Sequence, residues 1–366
     1  MPTNRIRRLT ALGSAAVALA LCVAQPALAD DRPAAEILAD LAGTQMPQFD
    51  RARADAEGAE YVAAFRAQSE EAGRARAVLI GELHQAHPGH EQLDELLPER
   101  WQLLLSGGEL DVAAAETERV ASDSQGDLAV DALYFHAMTT VYKTQAEDSS
   151  AVLAAAAKFR QAAPADQRNA ELLGYATYGD ADDATLLTIY KDIQANFPDA
   201  REARSAASKI FQLERVGKPF ELSFQDAITG ETVDMSQLRG KVVVIDFWAT
   251  WCGPCIAELP HMKELYATYK DKGVEFVGIS LDAPRNESDP SKDGLKKLRD
   301  FVADRELPWP QYYQGNGWES EFSTGWKVRS IPTIFLVDQQ GRLVTPNARG
   351  KLDTLIPETL GIEKAG

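Results

Sequence analysis

Residues 241–260 read KVVVIDFWATWCGPCIAELP and determine how the surrounding region folds. The β-branched Val-Val-Val-Ile run suits a central strand covered on both faces, so we predict a strand over Lys241–Phe247 that turns into a helix. Cys252 lies at the helix N-terminus, where free N–H groups and the helix dipole favour the thiolate, the reactive species in disulfide exchange. Cys255, within the same helical turn, can then attack the mixed disulfide and release the product.

These residues resemble the thioredoxin superfamily, and most closely the exported thiol-disulfide reductases of the TlpA/ResA kind. The matching positions are Trp248, Trp251, Cys252, Gly253, Pro254, Cys255, Pro260, Ile331-Pro332-Thr333 and Gly350. A Cys-x-x-Cys pair alone is a weak signal, but this array in a strand-then-helix context is specific. The resemblance extends over roughly residues 218–360 and implies a mixed sheet flanked by helices there, with thiol-disulfide oxidoreductase activity.

The resemblance gives roles to two acidic residues. Asp246 lies in an otherwise apolar strand, where an acid is costly; in thioredoxins this position holds a buried acid that exchanges protons with the resolving thiol. Many TlpA/ResA-like sequences lack it, so Asp246 favours thioredoxin-like chemistry, and a half-exposed strand end is the alternative. Glu258 lies one helical turn past Cys255 and matches the Glu of a ResA-like Glu-Leu-Pro element. We expect an acid, base or specificity residue there, with a surface glutamate as the alternative.

The resemblance also outlines a substrate-binding surface. It implies a cis bond before Pro332, although only about 5–6% of X-Pro bonds are cis. The Ile331 backbone would then pair with an extended substrate segment, and Gly350 would leave room for a partner backbone. The Gly-Pro dipeptide between the cysteines is that of thioredoxin and favours a reducing couple, nearer about −270 mV than about −120 mV. The residues expected at substrate are Trp251, Gly253, Pro254, Ile331, Pro332 and Gly350.

The cysteine count favours a redox pair over a scaffold or a metal site. The chain has three cysteines, and Cys22 lies in the predicted leader, which leaves Cys252–Cys255 as the expected disulfide. Structural zinc needs four ligands, and no second pair exists. His84, His87 and His90 have a spacing that could bind a metal, but Pro88-Gly89 interrupts the helix that would align them, so we predict a solvated loop. We expect no metal and no cofactor, because the sequence has no flavin or nicotinamide motif.

Residues 1–29 are typical of a secretory signal peptide. Three arginines precede a short apolar run over Leu9–Val23, and Ala27-Leu28-Ala29 fits a small-residue cleavage site. We therefore predict export to the periplasm or cell envelope, with cleavage after Ala29; a retained N-terminal anchor is the alternative. The net charge of −17 disfavours nucleic acid as a partner.

The rest of the chain predicts two domains. Residues 31–215 are rich in Ala, Leu, Glu and Arg, which favours an all-α domain of helical hairpins. Pro164 and Pro198 stand 34 residues apart, the tetratricopeptide period; an irregular helical bundle is the alternative. Residues 218–361 are predicted to form the α/β thioredoxin-like domain, with a polar surface loop over Asp282–Asp293. The helical domain would bind a protein partner.

We interpret the protein as an exported thiol-disulfide oxidoreductase that reduces disulfides in client proteins. By resemblance its electrons would come from a membrane thiol-electron donor, and its clients would include apocytochrome c. One alternative is a peroxiredoxin-like thiol peroxidase, because Thr250 precedes Cys252 by two residues and the opening strands look peroxiredoxin-like. Another is an adaptor whose helical half binds a partner and whose redox domain is secondary.

Overall fold

The computed structural model describes residues 32–284 and 294–362. The predicted signal peptide and Cys22 lie outside the described residues. The described chain divides into two compact units, one ending at Glu109 and one beginning at Leu110. No helix within the described ranges is both long enough and apolar enough to cross a membrane.

The first unit consists of helices, as the Ala- and Leu-rich composition predicts. Its helices are α1 (Ala34–Gly43), α2 (Arg51–Glu57), α3 (Ala59–Ala86) and α4 (Leu93–Ser106). Helix α3 packs against each of the other three. Trp101 of α4 is completely buried, and Arg76 of α3 donates hydrogen bonds to Glu99 and to the carbonyls of Leu41 and Thr44. These contacts fix the end of α1 against α3.

The second unit begins with six more helices, each packed against the next along the chain. They are α5 (Leu110–Asp123), α6 (Asp127–Thr144), α7 (Ser149–Ala162), α8 (Arg168–Tyr175), α9 (Asp183–Asn196) and α10 (Ala203–Leu213). The predicted all-α character of this region is confirmed, although the sequence did not predict α2, α5 and α8. Helix α8 has only eight residues, and α5 carries several charged residues along its length.

The caps of α7 and α9 repeat at the 34-residue spacing found in the sequence. Asp148 and Asp182 each accept a hydrogen bond from the backbone N–H three residues later. The helices then end at Ala163 and Phe197 with similar backbone angles, φ −135°, ψ 70° and φ −134°, ψ 55°. Helices α7 and α9 therefore begin and end alike. The helical repeat and the tetratricopeptide relationship stay predictions.

The C-terminal region has the predicted mixed sheet with helices. A two-stranded antiparallel sheet, β1 (Ser223–Gln225) and β2 (Thr232–Asp234), precedes a five-stranded sheet with the order β5-β4-β3-β6-β7. The remaining elements are β3 (Val242–Trp248), α11 (Gly253–Tyr269), β4 (Val274–Ser280), α12 (Gly294–Asp304), β5 (Gln311–Tyr312), α13 (Glu321–Gly325), β6 (Thr333–Val337), β7 (Leu343–Thr345) and α14 (Leu352–Leu360). Strands β3, β4 and β5 are parallel to one another, β6 runs antiparallel to β3, and β7 runs antiparallel to β6. This is a thioredoxin-like fold.

Strand β3 is the centre of this sheet. All seven of its residues are buried, as expected for an apolar run between two neighbouring strands and two layers of helix. It pairs in parallel with β4 and antiparallel with β6. The strand therefore delivers the loop before Cys252 to a fixed point at the carboxyl end of β3.

Helix α10 packs against the thioredoxin-like region within the second unit. Gln212 is buried and its Nε2 donates to the carbonyl oxygen of Trp326 over 2.8 Å. The Lys327 ammonium lies 4.4 Å from the centre of the Phe211 ring. Asn347 Nδ2, in the loop after β7, donates to Asp183 of α9 over 3.0 Å. The predicted domain boundary between 215 and 218 stays a prediction, and these contacts join the two sides of it.

We expect Gln212→Ala to lower the free energy of unfolding by about 1 kcal/mol, because it leaves the partly buried Trp326 carbonyl without its donor. Urea unfolding followed by tryptophan fluorescence measures the change. Gln194→Ala, on the exposed face of α9, is the control. Equal effects of the two substitutions would contradict a stabilising bond between α10 and the sheet region.

Candidate active site

The two cysteines form a disulfide at the start of α11. Cys252 is the N-cap residue of this helix, Pro254 occupies its first turn, and the structure holds the Cys252–Cys255 disulfide. Cys252 Sγ accepts a hydrogen bond from the Cys255 N–H over 3.2 Å. When the pair is reduced, the same N–H groups and the helix dipole favour a thiolate at Cys252.

The first thiol is less exposed than the sequence suggested. We expected the turn to present Cys252 to solvent, but in the disulfide form Cys252 is 5% exposed and Cys255 is 2% exposed. The exposed residues are their neighbours Trp251, Gly253 and Pro254. A substrate would therefore meet this rim first, and the sulfur lies just below it.

A buried carboxylate anchors the loop that leads to Cys252. Thr250 donates to Asp282 twice, from its N–H to Oδ2 over 3.0 Å and from its hydroxyl to Oδ1 over 2.6 Å. The Ser280 hydroxyl also donates to Asp282 Oδ2, over 2.9 Å. The sequence predicted a surface loop from Asp282 onward, but Asp282 itself is buried. Its carboxylate can be buried because these three hydrogen-bond donors satisfy it. Residues 285–293 of the predicted loop lie outside the described ranges.

A second polar contact fixes Trp248 at the end of β3. Its indole Nε1 donates to Gln311 Oε1 over 3.0 Å, and both side chains are buried. The Gln311 amide fits because residue 278 is glycine: a Cβ there would lie 2.1 Å from Gln311 Oε1. Neither Gln311 nor Asp282 carried a sequence signal, since their partners come from distant segments.

Asp246 lies inside the sheet. It is only 4% exposed, and it lies opposite Gly278 of β4 on one side and Ile334 of β6 on the other. The alternative of a half-exposed strand end is therefore wrong. Burial, and secondly the charge of Glu258, raise the pKa of the Asp246 carboxyl to about 8. A group with that pKa can accept or release a proton near neutral pH.

The negative charge of Glu258 acts on the Asp246 carboxyl, and an arginine from a distant loop binds Glu258. Arg349 donates to Glu258 Oε1 through Nε over 2.7 Å and through Nη2 over 2.6 Å. Both side chains are partly exposed, which limits the pair to about 1 kcal/mol of stability. The sequence singled out Glu258 but not Arg349, whose position depends on the loop between β7 and α14.

The remaining predicted substrate residues lie at the same end of the sheet. The Ile331–Pro332 peptide is cis, and the next residue, Thr333, begins β6 opposite Phe247 of β3. The loop of Gly350 is tied to β6 because the Ala348 N–H donates to the Ile334 carbonyl over 3.0 Å. Gly350 has φ +71°, and no atom lies within 4 Å of the position that a Cβ would occupy. This open space is compatible with the approach of another backbone.

Two of the three histidines make hydrogen bonds to neighbouring groups. His87 Nε2 lies 2.9 Å from the Arg32 carbonyl oxygen, and His90 Nδ1 accepts from the Gln92 N–H over 3.3 Å. Within residues 32–284 and 294–362, no three His, Cys, Asp or Glu side chains are grouped to hold a metal ion.

Comparison with known proteins gives the family. The thiol-disulfide oxidoreductase ResA of Oceanobacillus iheyensis is 32% identical over 160 residues, which are 41% of this chain and 77% of that relative. This chain belongs to the ResA family. It is a thiol-disulfide oxidoreductase. ResA of Bacillus thuringiensis subsp. konkukian is 33% identical over 117 residues, and there the chain spans 60% of the relative's length.

Other comparisons cover the same region of this ResA-family chain. Residues 215–345 match the model of the AhpC/TSA family. The thioredoxin domain of a thiol-disulfide oxidoreductase from Bacteroides vulgatus is 25% identical, with a TM-score of 0.31, and the match covers 37% of this chain and 89% of that one. A proposed thiol:disulfide interchange protein DsbE from Chlorobium tepidum is 26% identical, with a TM-score of 0.34, over 40% of this chain and 98% of that one.

We expect the stability cost of Asp246 to grow with pH. The folded carboxyl stays protonated up to about pH 8, whereas the unfolded carboxyl ionises near 3.8, so folding takes up a proton between these values and stability falls as pH rises. Asp246→Asn removes this dependence. Its stability relative to wild type should increase by about 2–4 kcal/mol between pH 5 and pH 8, as measured by urea unfolding of the oxidised protein.

The exposed Asp271→Asn is the control and should show no such trend. A constant stability difference between Asp246→Asn and wild type across this pH range would contradict a protonated Asp246.

We expect Glu258→Gln to lower the pKa of Asp246 from about 8, because the substitution removes the nearby negative charge that disfavours a second carboxylate. The pKa should stay above its ordinary value, since burial is the larger cause. Carboxyl ¹³C NMR titration of the oxidised protein measures the shift. Glu264→Gln, an exposed site on the same helix, should leave the pKa unchanged; an equal shift in both variants would rule out a specific effect of Glu258.

Proposed function

We propose that this protein is an exported reductase of protein disulfides that works through a Cys252/Cys255 dithiol. The observation that carries the proposal is the Cys252–Cys255 disulfide at the N-terminus of α11, in the same core as the buried Asp246, whose pKa lies near neutrality. A helix N-terminus suits the attacking thiolate, and a neutral-range acid suits the proton transfer that the second thiol needs.

The proposed cycle conserves electrons without a cofactor. The Cys252 thiolate attacks one sulfur of a client disulfide and forms a mixed disulfide, and the other client sulfur leaves as a thiolate that takes up a proton. Asp246, in the fraction of molecules in which its carboxyl is ionised, accepts the proton of the Cys255 thiol, whose sulfur then attacks Cys252 Sγ. The second client sulfur leaves as a thiolate and takes up this proton from Asp246. The client leaves as a dithiol, and the protein retains the Cys252–Cys255 disulfide. Two electrons have passed from the protein to the client.

The return of electrons requires an external dithiol. The resemblance to TlpA/ResA-like reductases suggests a membrane thiol-electron donor and suggests apocytochrome c among the clients. Export follows from the signal-like residues 1–29 and is proposed on the sequence alone. We also propose, from the sequence alone, that the helical region binds a protein partner.

A thiol peroxidase is the second candidate, because residues 215–345 match the AhpC/TSA family model. The Thr250 hydroxyl, which suggested this alternative, donates to Asp282 over 2.6 Å, so it is engaged away from a peroxide. Consumption of hydrogen peroxide by the reduced protein would favour this candidate. Peroxide that persists while disulfides are reduced would favour the reductase.

We expect the pre-reduced full chain to reduce insulin disulfides. Cys252→Ser should abolish the reaction, because Ser is a far weaker nucleophile, whereas Cys255→Ser should accumulate a mixed disulfide through Cys252. In a chain that keeps both cysteines, Asp246→Asn should slow the attack of Cys255 on the mixed disulfide by about 10²-fold or more at pH 7. This is the usual rate loss when a general base is removed. Insulin turbidity and mass spectrometry of acid-quenched samples provide the readouts.

Ser280→Ala, which removes one hydroxyl from the Asp282 network but leaves both cysteines in place, is the control and should retain reductase activity. Unchanged insulin solubility with the wild-type reduced protein would overturn the proposal. Trapping of the client through Cys255 instead of Cys252 would reverse the assigned order of attack.

A further inference from the structure

A cavity of about 590 Å³ lies between α10 and the segment from Trp318 to Arg329. Arg204 and Ser208 contribute from α10, and Lys327 and Arg329 contribute from the loop after α13. Both walls belong to the second compact unit. The cavity is thus built jointly by the last predicted helix of the helical region and by the thioredoxin-like region.

The cavity is basic although the chain is strongly acidic. Arg204, Lys327 and Arg329 line it together with a single carboxylate, Glu319, whereas the whole chain has a net charge of −17. Among the described residues, none of these three cations has a carboxylate in salt-bridge range. The Lys327 ammonium is positioned over the Phe211 ring, 4.4 Å from its centre. Three cations gathered around one cavity attract an anionic group.

A buried hydroxyl in the wall adds an unused hydrogen-bonding group. Ser323 is 1% exposed, lines the cavity, and its Oγ has no hydrogen-bond partner among the described residues. A buried polar atom without a partner is uncommon in folded proteins and calls for an explanation such as a ligand. A hydroxyl beside cations is a suitable donor for a carboxylate.

Two exposed tryptophans connect this cavity to the cysteine pair. Trp318 lines the cavity, and its ring lies 6.5 Å from the ring of Trp251, which directly precedes Cys252. The two side chains are 39% and 48% exposed, and they rank among the large exposed hydrophobic side chains of the described chain. Paired exposed aromatic rings are typical of a protein-binding surface.

We propose that this cavity is a client-binding subsite that takes an acidic side chain of a polypeptide whose disulfide reaches Cys252 across Trp251 and Trp318. The proposal rests on the proposed reduction of client disulfides. It gives α10 a role in selecting clients, because Arg204 provides one of the three cations. A carboxylate near the client disulfide would be held by charge and by the Ser323 hydroxyl, and the tryptophans would cover the intervening residues.

Peptides without cysteine test the subsite independently of redox chemistry. The probes are two synthetic peptides of equal length that contain one tyrosine and either three glutamates or three glutamines, titrated calorimetrically into the oxidised full chain. The glutamate peptide should bind more tightly, and the difference should shrink as salt is raised. Arg204→Gln and Arg329→Gln should each weaken its binding by about fivefold, the upper range for an exposed ion pair.

Lys297→Gln removes the same charge from an exposed site on α12 that does not line the cavity, and it should bind like wild type. Equal affinity for the two peptides, or equal losses in all three variants, overturns the subsite. Insulin reduction is a separate readout of the same preparations. Its absence would overturn the proposed function, whereas intact insulin reduction without a preference for the acidic peptide would overturn the subsite alone.

Discussion

The main physical constraint on the redox region is a carboxyl group buried in its central strand. Asp246 replaces what would otherwise be another apolar residue of β3, and its burial displaces the pKa to about 8. Such a group opposes folding at neutral pH, so the surrounding core must compensate for it. That core is extensive: β3 is covered completely, and both cysteines belong to the same buried cluster. A costly acid in the core with a reactive pair is the arrangement expected when stability is given up for proton transfer.

The site is held in place by polar side chains that lie outside the Cys-x-x-Cys motif. Asp282 fixes the loop at Thr250, Gln311 fixes Trp248, and Arg349 holds Glu258. Each brings a residue from a different segment to the carboxyl end of β3, where the disulfide lies. Because the first two contacts are buried, they define one position for the loop, whereas the Arg349–Glu258 pair is partly exposed and holds Glu258 less firmly.

The sequence predicted those parts of the structure that local patterns determine. The strand, turn and helix around Cys252 follow from an apolar run and a helix start, and β3 begins and ends within one residue of its predicted bounds. Helices α5 and α8 were missed, since one is highly charged and the other is short. Asp282, Gln311 and Arg349 were not predictable, because their partners are set by the register of β4 and β5 and by the loop after β7.

The reduction potential of the Cys252–Cys255 pair tests whether this dithiol donates electrons to client disulfides. The full chain would be equilibrated at pH 7 with defined glutathione or dithiothreitol ratios, and the reduced fraction would be read by thiol alkylation. We expect a potential near that of thioredoxin, about −270 mV, which lets the dithiol reduce most accessible disulfides. A value near about −120 mV, typical of a strong protein oxidant, would contradict it.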